Sequence, residues 1–147
     1  MRARAPSMAE YTVKEVMHTN PLSVHCGEAL VDVVEKMAAN GVMGMPVVDE
    51  QQRVVGFVSE QDCIQSMLAT SYFCEGNPVV DDVMSRVPLT VKPDDSVVDL
   101  ARRMGRDKPK VYPVVDNGKL VGLITRSDVL KALRREVLAC STEGRHR

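Results

Sequence analysis

The chain repeats itself. Val16-Met17 returns as Val83-Met84, and Pro21-Leu22-Ser23-Val24 returns as Pro88-Leu89-Thr90-Val91. Asp32 answers Asp99, Met37 answers Met104, and Pro46-Val47-Val48-Asp49 answers Pro113-Val114-Val115-Asp116. Gly56-Phe57-Val58-Ser59 comes back as Gly122-Leu123-Ile124-Thr125, and Asp62 as Asp128. The offset holds at about 67 positions and slips by one residue, at the turn after Asp49 and Asp116. A period that long marks a duplicated small domain rather than a solenoid unit. Each copy has roughly 60 residues, too few for a comfortable core of its own. Two copies packed about a pseudo-twofold axis would bury their apolar faces against each other.

Both copies share one local pattern. A short strand (Leu22 to Val24; Leu89 to Val91) precedes Gly27-Glu28 or Pro93-Asp94-Asp95, which suit a helix start. Leu30, Val33, Val34 and Met37, and then Val97, Leu100, Ala101 and Met104, recur at the three-and-four spacing of an amphipathic helix. A hairpin follows. In the second copy Asn117-Gly118 suits a type I′ turn; in the first, Glu50-Gln51-Gln52 makes a longer one. A second helix carries Ile64, Met67 and Leu68, or Val129, Leu130 and Leu133. The expected class is therefore α/β (α+β), with the order β-α-β-β-α occurring twice. The boundaries follow as a loose leader over 1–10 (with Met8 an alternative start), domains over 11–70 and 79–136, and a tail over 137–147. Ser71 to Pro78, with its Gly and Pro, reads as the linker.

Composition narrows the function. A formal net charge of -1 argues against general nucleic-acid binding, which needs a basic face to release counterions. With no Trp, two Phe and three Tyr, stacking platforms for bases are scarce. Cys26, Cys63, Cys74 and Cys140 show no zinc-type spacing, and their scatter suits a reducing compartment. His18, His25 and His146 are far apart in sequence without evident metal partners, so no metal site is expected. The first ten residues lack the apolar stretch of a secretory signal, and no apolar run is long enough to span a bilayer. A cytoplasmic location, without membrane contact, is expected.

Ser59-Glu60-Gln61-Asp62 and Thr125-Arg126-Ser127-Asp128 carry the chemistry. A hydroxyl three residues before a carboxylate, at a strand-to-helix junction, suits a ribose phosphate. The carboxylate accepts from both vicinal ribose hydroxyls, while the hydroxyl and free helix N–H groups face phosphate. A charge-assisted bond of this kind is worth roughly 1.5–3 kcal/mol. The same spacing is also a capping box, in which the two side chains satisfy N–H groups at the helix start. Taken alone the motif favours capping, and the two roles are compatible.

The element order, the Pro-Val-Val-Asp strand and the Gly-apolar-apolar-Ser/Thr-x-x-Asp ending resemble tandem CBS domains over about Tyr11 to Arg135. The resemblance implies a stand-alone, non-catalytic sensor that binds an adenosine nucleotide (AMP, ADP or ATP, or else S-adenosylmethionine) in the cleft between two repeats. It also implies crossed sites. One combines Thr125, Arg126 and Asp128 with Asn20, Pro21, Leu22 and Met43, with Lys110 facing phosphate. The other combines Ser59 and Asp62 with Val87, Pro88 and Leu89, and has Met43 and Glu60 where the first has Lys110 and Arg126. Positive charge favours phosphate, so the Asp128 site is expected to be the tighter one. Tyr112 either stacks on adenine or covers a strand edge. The resemblance further implies a homodimer and an unidentified regulated protein. The competing reading is a structural or oligomerisation module with no nucleotide, its Asp residues serving only as caps. An enzyme has little support, since neither a P-loop nor a nucleophile–base set is placed by motif.

Overall fold

A computed structural model describes residues 11–74, 76–86 and 88–144. The expected leader, Glu75, Val87 and Arg145-His146-Arg147 lie outside the described residues. The elements in chain order are α1 (Val13–Val16), β1 (Val24–His25), α2 (Leu30–Asn40), β2 (Gly44–Val48), β3 (Val54–Ser59) and α3 (Glu60–Phe73). A 3₁₀ turn (Val80–Asp82) follows, then α4 (Val97–Arg103), β4 (Val111–Asp116), β5 (Lys119–Thr125) and α5 (Arg126–Gly144). The α/β class is the one read from the repeat, and the order β-α-β-β-α is complete in the first copy. Two boundaries differ from expectation. Helix α3 continues through Ser71 and Tyr72, where a linker was expected, and ends on Cys74 in the left-handed conformation. Helix α5 continues through most of what was read as a tail. Gly76 and Pro78 suggest an earlier break after α3, and the charged run Arg134-Arg135-Glu136 suggests one within α5, but both helices continue.

The chain divides into two compact units. The first comprises Pro21–Pro88 with the hairpin tip Asn117–Leu120. Its sheet has the order β1-β2-β3, with β1 parallel to β2 and β2 antiparallel to β3. All five residues of β2 are buried, as a strand covered on both faces must be. Helix α2 turns Leu30, Val33 and Met37 inward and stops at Gly41, whose φ of 62° closes the helix with a left-handed cap. The core gathers Val24, Leu30, Val33, Met45, Val47, Val58 and Cys63, together with Val80 and Met84.

Of the described residues, the second unit comprises 11–20, Leu89–Asp116 and 121–144. Asn117 and Gly118, at φ 54° and 81°, give its β4–β5 hairpin the two left-handed residues of the expected tight turn. The strand expected at Leu89 to Val91 is reduced to a single parallel bridge, Val91 with Val114. Helix α4 is shorter than α2, seven residues against eleven. Its core gathers Val91, Val97, Leu100, Tyr112, Val114, Ile124, Val129 and Ala132, together with Val13.

The opening segment of each repeat thus completes the unit built by the other. Val13 N–H donates to the Asp95 carbonyl (2.8 Å) and Val97 N–H to the Tyr11 carbonyl (3.1 Å). Correspondingly, Leu30 N–H donates to the Pro78 carbonyl and Val80 N–H to the Glu28 carbonyl, both at 2.9 Å. A roughly 60-residue copy gains buried apolar area this way without lengthening its own sequence.

Candidate functional site

Each unit builds the same junction where its last strand runs into its last helix. In the first unit β3 delivers Ser59 as the N-cap of α3. The Ser59 N–H and Oγ–H both donate to Asp62 Oδ2 (3.0 and 2.9 Å), and Asp62 N–H donates back to Ser59 Oγ (3.2 Å). In the second unit β5 delivers Thr125. Its N–H donates to Asp128 Oδ2 (2.8 Å), and Asp128 N–H donates back to Thr125 Oγ1 (3.1 Å). Both motifs therefore form the capping box that their spacing allows.

The box consumes only one oxygen of each carboxylate. Among the described residues Asp62 Oδ1 has no partner. Asp128 Oδ1 accepts from His18 Nε2 at 2.8 Å, with the His18 side chain 63% exposed and that of Asp128 11%. By sequence alone His18 is weighed only as a metal ligand and is not paired with Asp128. It is 110 positions from Asp128, and only the exchange of opening segments brings the two together. The repeat alignment contains the signal in hindsight, because His18 and Ser85 are equivalent. Each exchanges two backbone hydrogen bonds with the residue that follows the repeated glycine: His18 with Leu123 (2.8 and 3.0 Å), Ser85 with Phe57 (2.8 and 2.9 Å).

The positions expected to flank phosphate are also equivalent. Glu60 N–H donates to the Met43 carbonyl (2.9 Å), and Arg126 N–H donates to the Lys110 carbonyl (2.8 Å). Lys110 and Arg126 are exposed beside Thr125 and Asp128, and Met43 and Glu60 are exposed beside Ser59 and Asp62. The difference in charge between the junctions is thus real. The supply of N–H groups is smaller than expected, since the caps and these carbonyls engage two amides at the start of each helix.

Asn20 lies in the second unit, with Asp128, in a left-handed conformation (φ 55°). Pro21, Leu22 and Met43 belong to the first unit, as does Pro88, whereas Leu89 belongs to the second. Val87 lies outside the described residues. Tyr112 is 3% exposed and forms part of the second unit's core. Burial raises its hydroxyl pKa, while Arg103 and Arg126 oppose the shift. Cys63, next to Asp62, is buried, and its thiol pKa is raised by desolvation and then by the Asp62 and Glu60 carboxylates. Such a thiol is a packing group rather than a nucleophile. Among the described residues no His, Cys, Asp or Glu cluster could hold a metal ion, and no helix is long and apolar enough to cross a membrane.

A duplicated α/β unit that ends each copy in a capped carboxylate at a strand-to-helix junction defines a class of paired modules. The CBS domain family matches at residues 13–69 and 80–135, and the chain belongs to that family. Among curated proteins it is 30% identical to uncharacterized protein MJ1225 of Methanocaldococcus jannaschii, over 82% of this chain and 42% of that one. It is 28% identical to uncharacterized protein MJ1426 of the same organism, over 82% of this chain and 90% of the relative. The chain therefore spans less than half of the first relative and most of the second. Among solved structures it resembles CBSX2 of Arabidopsis thaliana in complex with AMP. The TM-score is 0.73 at 32% identity, covering 85% of this chain and 97% of that one.

Proposed function

We propose that this chain is a non-catalytic regulatory module that binds an adenosine nucleotide, AMP, ADP or ATP in preference to S-adenosylmethionine, through Asp128. The observation that carries this reading is the division of labour within the carboxylate. One oxygen closes the helix cap, and the other lies outside the cap, with His18 Nε2 as its partner, at a junction that also carries Lys110 and Arg126. A ribose diol needs an acceptor of that kind, and a phosphate needs that charge. The AMP held by CBSX2, at 32% identity, supports the ligand class. Asp62 offers a second acceptor, with Glu60 nearby opposing phosphate, and suits a less charged adenosine compound.

Calorimetric titration with AMP, ADP, ATP and S-adenosylmethionine tests the proposal. Asp128→Asn should weaken nucleotide binding about tenfold or more, the value of one charge-assisted bond. Asp62→Asn should leave the tighter site intact. Absence of heat with every ligand, together with an unshifted melting temperature at millimolar nucleotide, would leave the competing reading standing. That reading, an interaction module, is favoured by the completed capping boxes, which satisfy both motifs without a ligand.

The reading extends to a homodimer in the cytoplasm that passes its ligand state to a partner protein. Ile64 and Leu68 on α3 are 51% and 65% exposed, and Leu130 and Val137 on α5 are 66% and 65% exposed. Apolar residues so spaced on two helices suit burial in an interface. Light scattering on the calorimetry samples should show a dimer in the parent protein and a monomer in Leu68→Glu/Leu130→Glu; a parent monomer would refute the association.

A further inference from the structure

The two junctions differ in one respect that their shared chemistry does not require. Asp62 keeps an oxygen without a partner among the described residues, whereas the matching oxygen of Asp128 is occupied by His18. We infer that His18 is an internal latch on the nucleotide site, holding the ribose-binding oxygen of Asp128 until a ligand displaces it. The inference rests on the assignment of Asp128 as the ribose acceptor and adds to it a residue that regulates access.

The geometry supports a latch rather than a structural strut. The His18 backbone is held in place by its two hydrogen bonds to Leu123. Close packing at Gly122 reinforces this, because a Cβ there would stand 2.8 Å from the His18 carbonyl oxygen and 2.6 Å from Met17 Sδ. The imidazole is different: with 63% of the side chain exposed, it can rotate away without opening the core. Since an ionised carboxylate only accepts, the shared proton belongs to Nε2, and a ribose diol that donates both hydroxyls to Oδ1 fills both lone pairs of that oxygen and so replaces the donor.

The first unit serves as an internal control. Gly56 packs against the Ser85 carbonyl oxygen and Met84 just as Gly122 packs against His18 and Met17. Ser85, the equivalent of His18, makes no hydrogen bond to Asp62 among the described residues. A serine is too short for the reach that an imidazole makes. The backbone frame is thus common to both units, and the latch is a side-chain addition to one of them.

Displacement separates the latch from a ligand contact by the sign of its effect. A latch subtracts from affinity, so removing it tightens binding; a residue that helps hold the nucleotide does the reverse. Exchange of one hydrogen bond for another sets the scale at about three- to tenfold.

The test uses the full chain with His18→Ala, His18→Gln and Asp128→Asn. Imidazole nitrogen resonances of the ligand-free protein should show a proton on His18 Nε2, and the His18 signals should move in Asp128→Asn. Titration with AMP should give about three- to tenfold tighter binding at the Asp128 site in His18→Ala. His18→Gln, whose amide can donate to the same oxygen, should return affinity toward the parent value. Affinity at the Asp62 site should not change. His18 signals indifferent to Asp128→Asn, or AMP binding that is unchanged or weaker in His18→Ala, would overturn the latch while leaving Asp128 as the acceptor. AMP binding absent from every variant, with the imidazole contact intact, would overturn the nucleotide reading and the latch with it.

Discussion

Asp49 shows how one side chain organises a local turn. Its Oδ1 accepts the Gln51 and Arg53 N–H groups, both at 2.9 Å, and its Oδ2 pairs with Arg53 Nε at 3.1 Å. The longer first-repeat hairpin, which lacks an Asn-Gly pair, is held by this Asx turn instead, with Gln52 at φ 66°. The Arg53 N–H hydrogen bond, with that of Gln51 and the Arg53 charge, lowers the Asp49 pKa against an opposing desolvation. A carboxyl with a depressed folded pKa stabilises the fold above its unfolded value, and that contribution is lost as the pH falls through the folded one. Chemical unfolding of the parent protein should therefore weaken below about pH 4, and Asp49→Asn should flatten that part of the profile. An identical acid limb in the variant would remove Asp49 from the account.

Among the elements, the β3–α3 and β5–α5 junctions depend on glycines chosen for space rather than for φ. At Gly122 a Cβ would approach Met17 Sδ to 2.6 Å, and at Gly56 a Cβ would approach Met84 Sδ to 2.5 Å. The repeated glycine therefore admits the opening segment of the other repeat against the strand. Gly122→Ala should cost about 2–3 kcal/mol by overpacking. Because the carbonyl of His18 stands in the way as well, it should also shift the His18 imidazole resonances. Denaturant unfolding and the imidazole spectrum check the two parts; a stability loss under about 0.5 kcal/mol would mean that Met17 yields at little cost. The hairpins, helices and capping boxes of each repeat were legible because they depend on local patterns: period, turn residues and the Ser/Thr-x-x-Asp spacing. The far ends of α3 and α5 were not, since Gly76 and Pro78 suggest a linker close to the end of α3 and the charged run Arg134-Arg135-Glu136 interrupts the apolar pattern of α5.

At the scale of the whole molecule, each compact unit contains a segment drawn from the other repeat, so its boundaries do not coincide with those of the sequence repeat. Val13 has no exposed surface and sits in the core with Val91, Val97 and Leu100, although its own repeat builds the other unit. Val13→Ala should cost about 2–3 kcal/mol through a cavity. Hydrogen exchange should locate the loss in β4, β5 and α5 before β2 and β3. Preferential loss of protection in β2 and β3 would contradict the exchange of opening segments. The same exchange explains why the candidate site was only half legible. Thr125, Arg126, Asp128 and Lys110 could be identified from the repeat and the resemblance, whereas His18 required knowing which unit the first segment joins.

The sequence by itself determined the duplication, the α/β class, the order of elements, the family and the two capped carboxylates. Each of these is written in residues close together in the chain or in two copies of one pattern. Only the tertiary structure decided that the opening segments change places and that His18 meets Asp128. It also decided that Asp62 keeps one oxygen unpartnered among the described residues and that Tyr112 packs in the second unit's core. The placing of the opening segments depends on Met84 and Met17 finding space against Gly56 and Gly122, a matter of close packing between remote segments that no local spacing encodes.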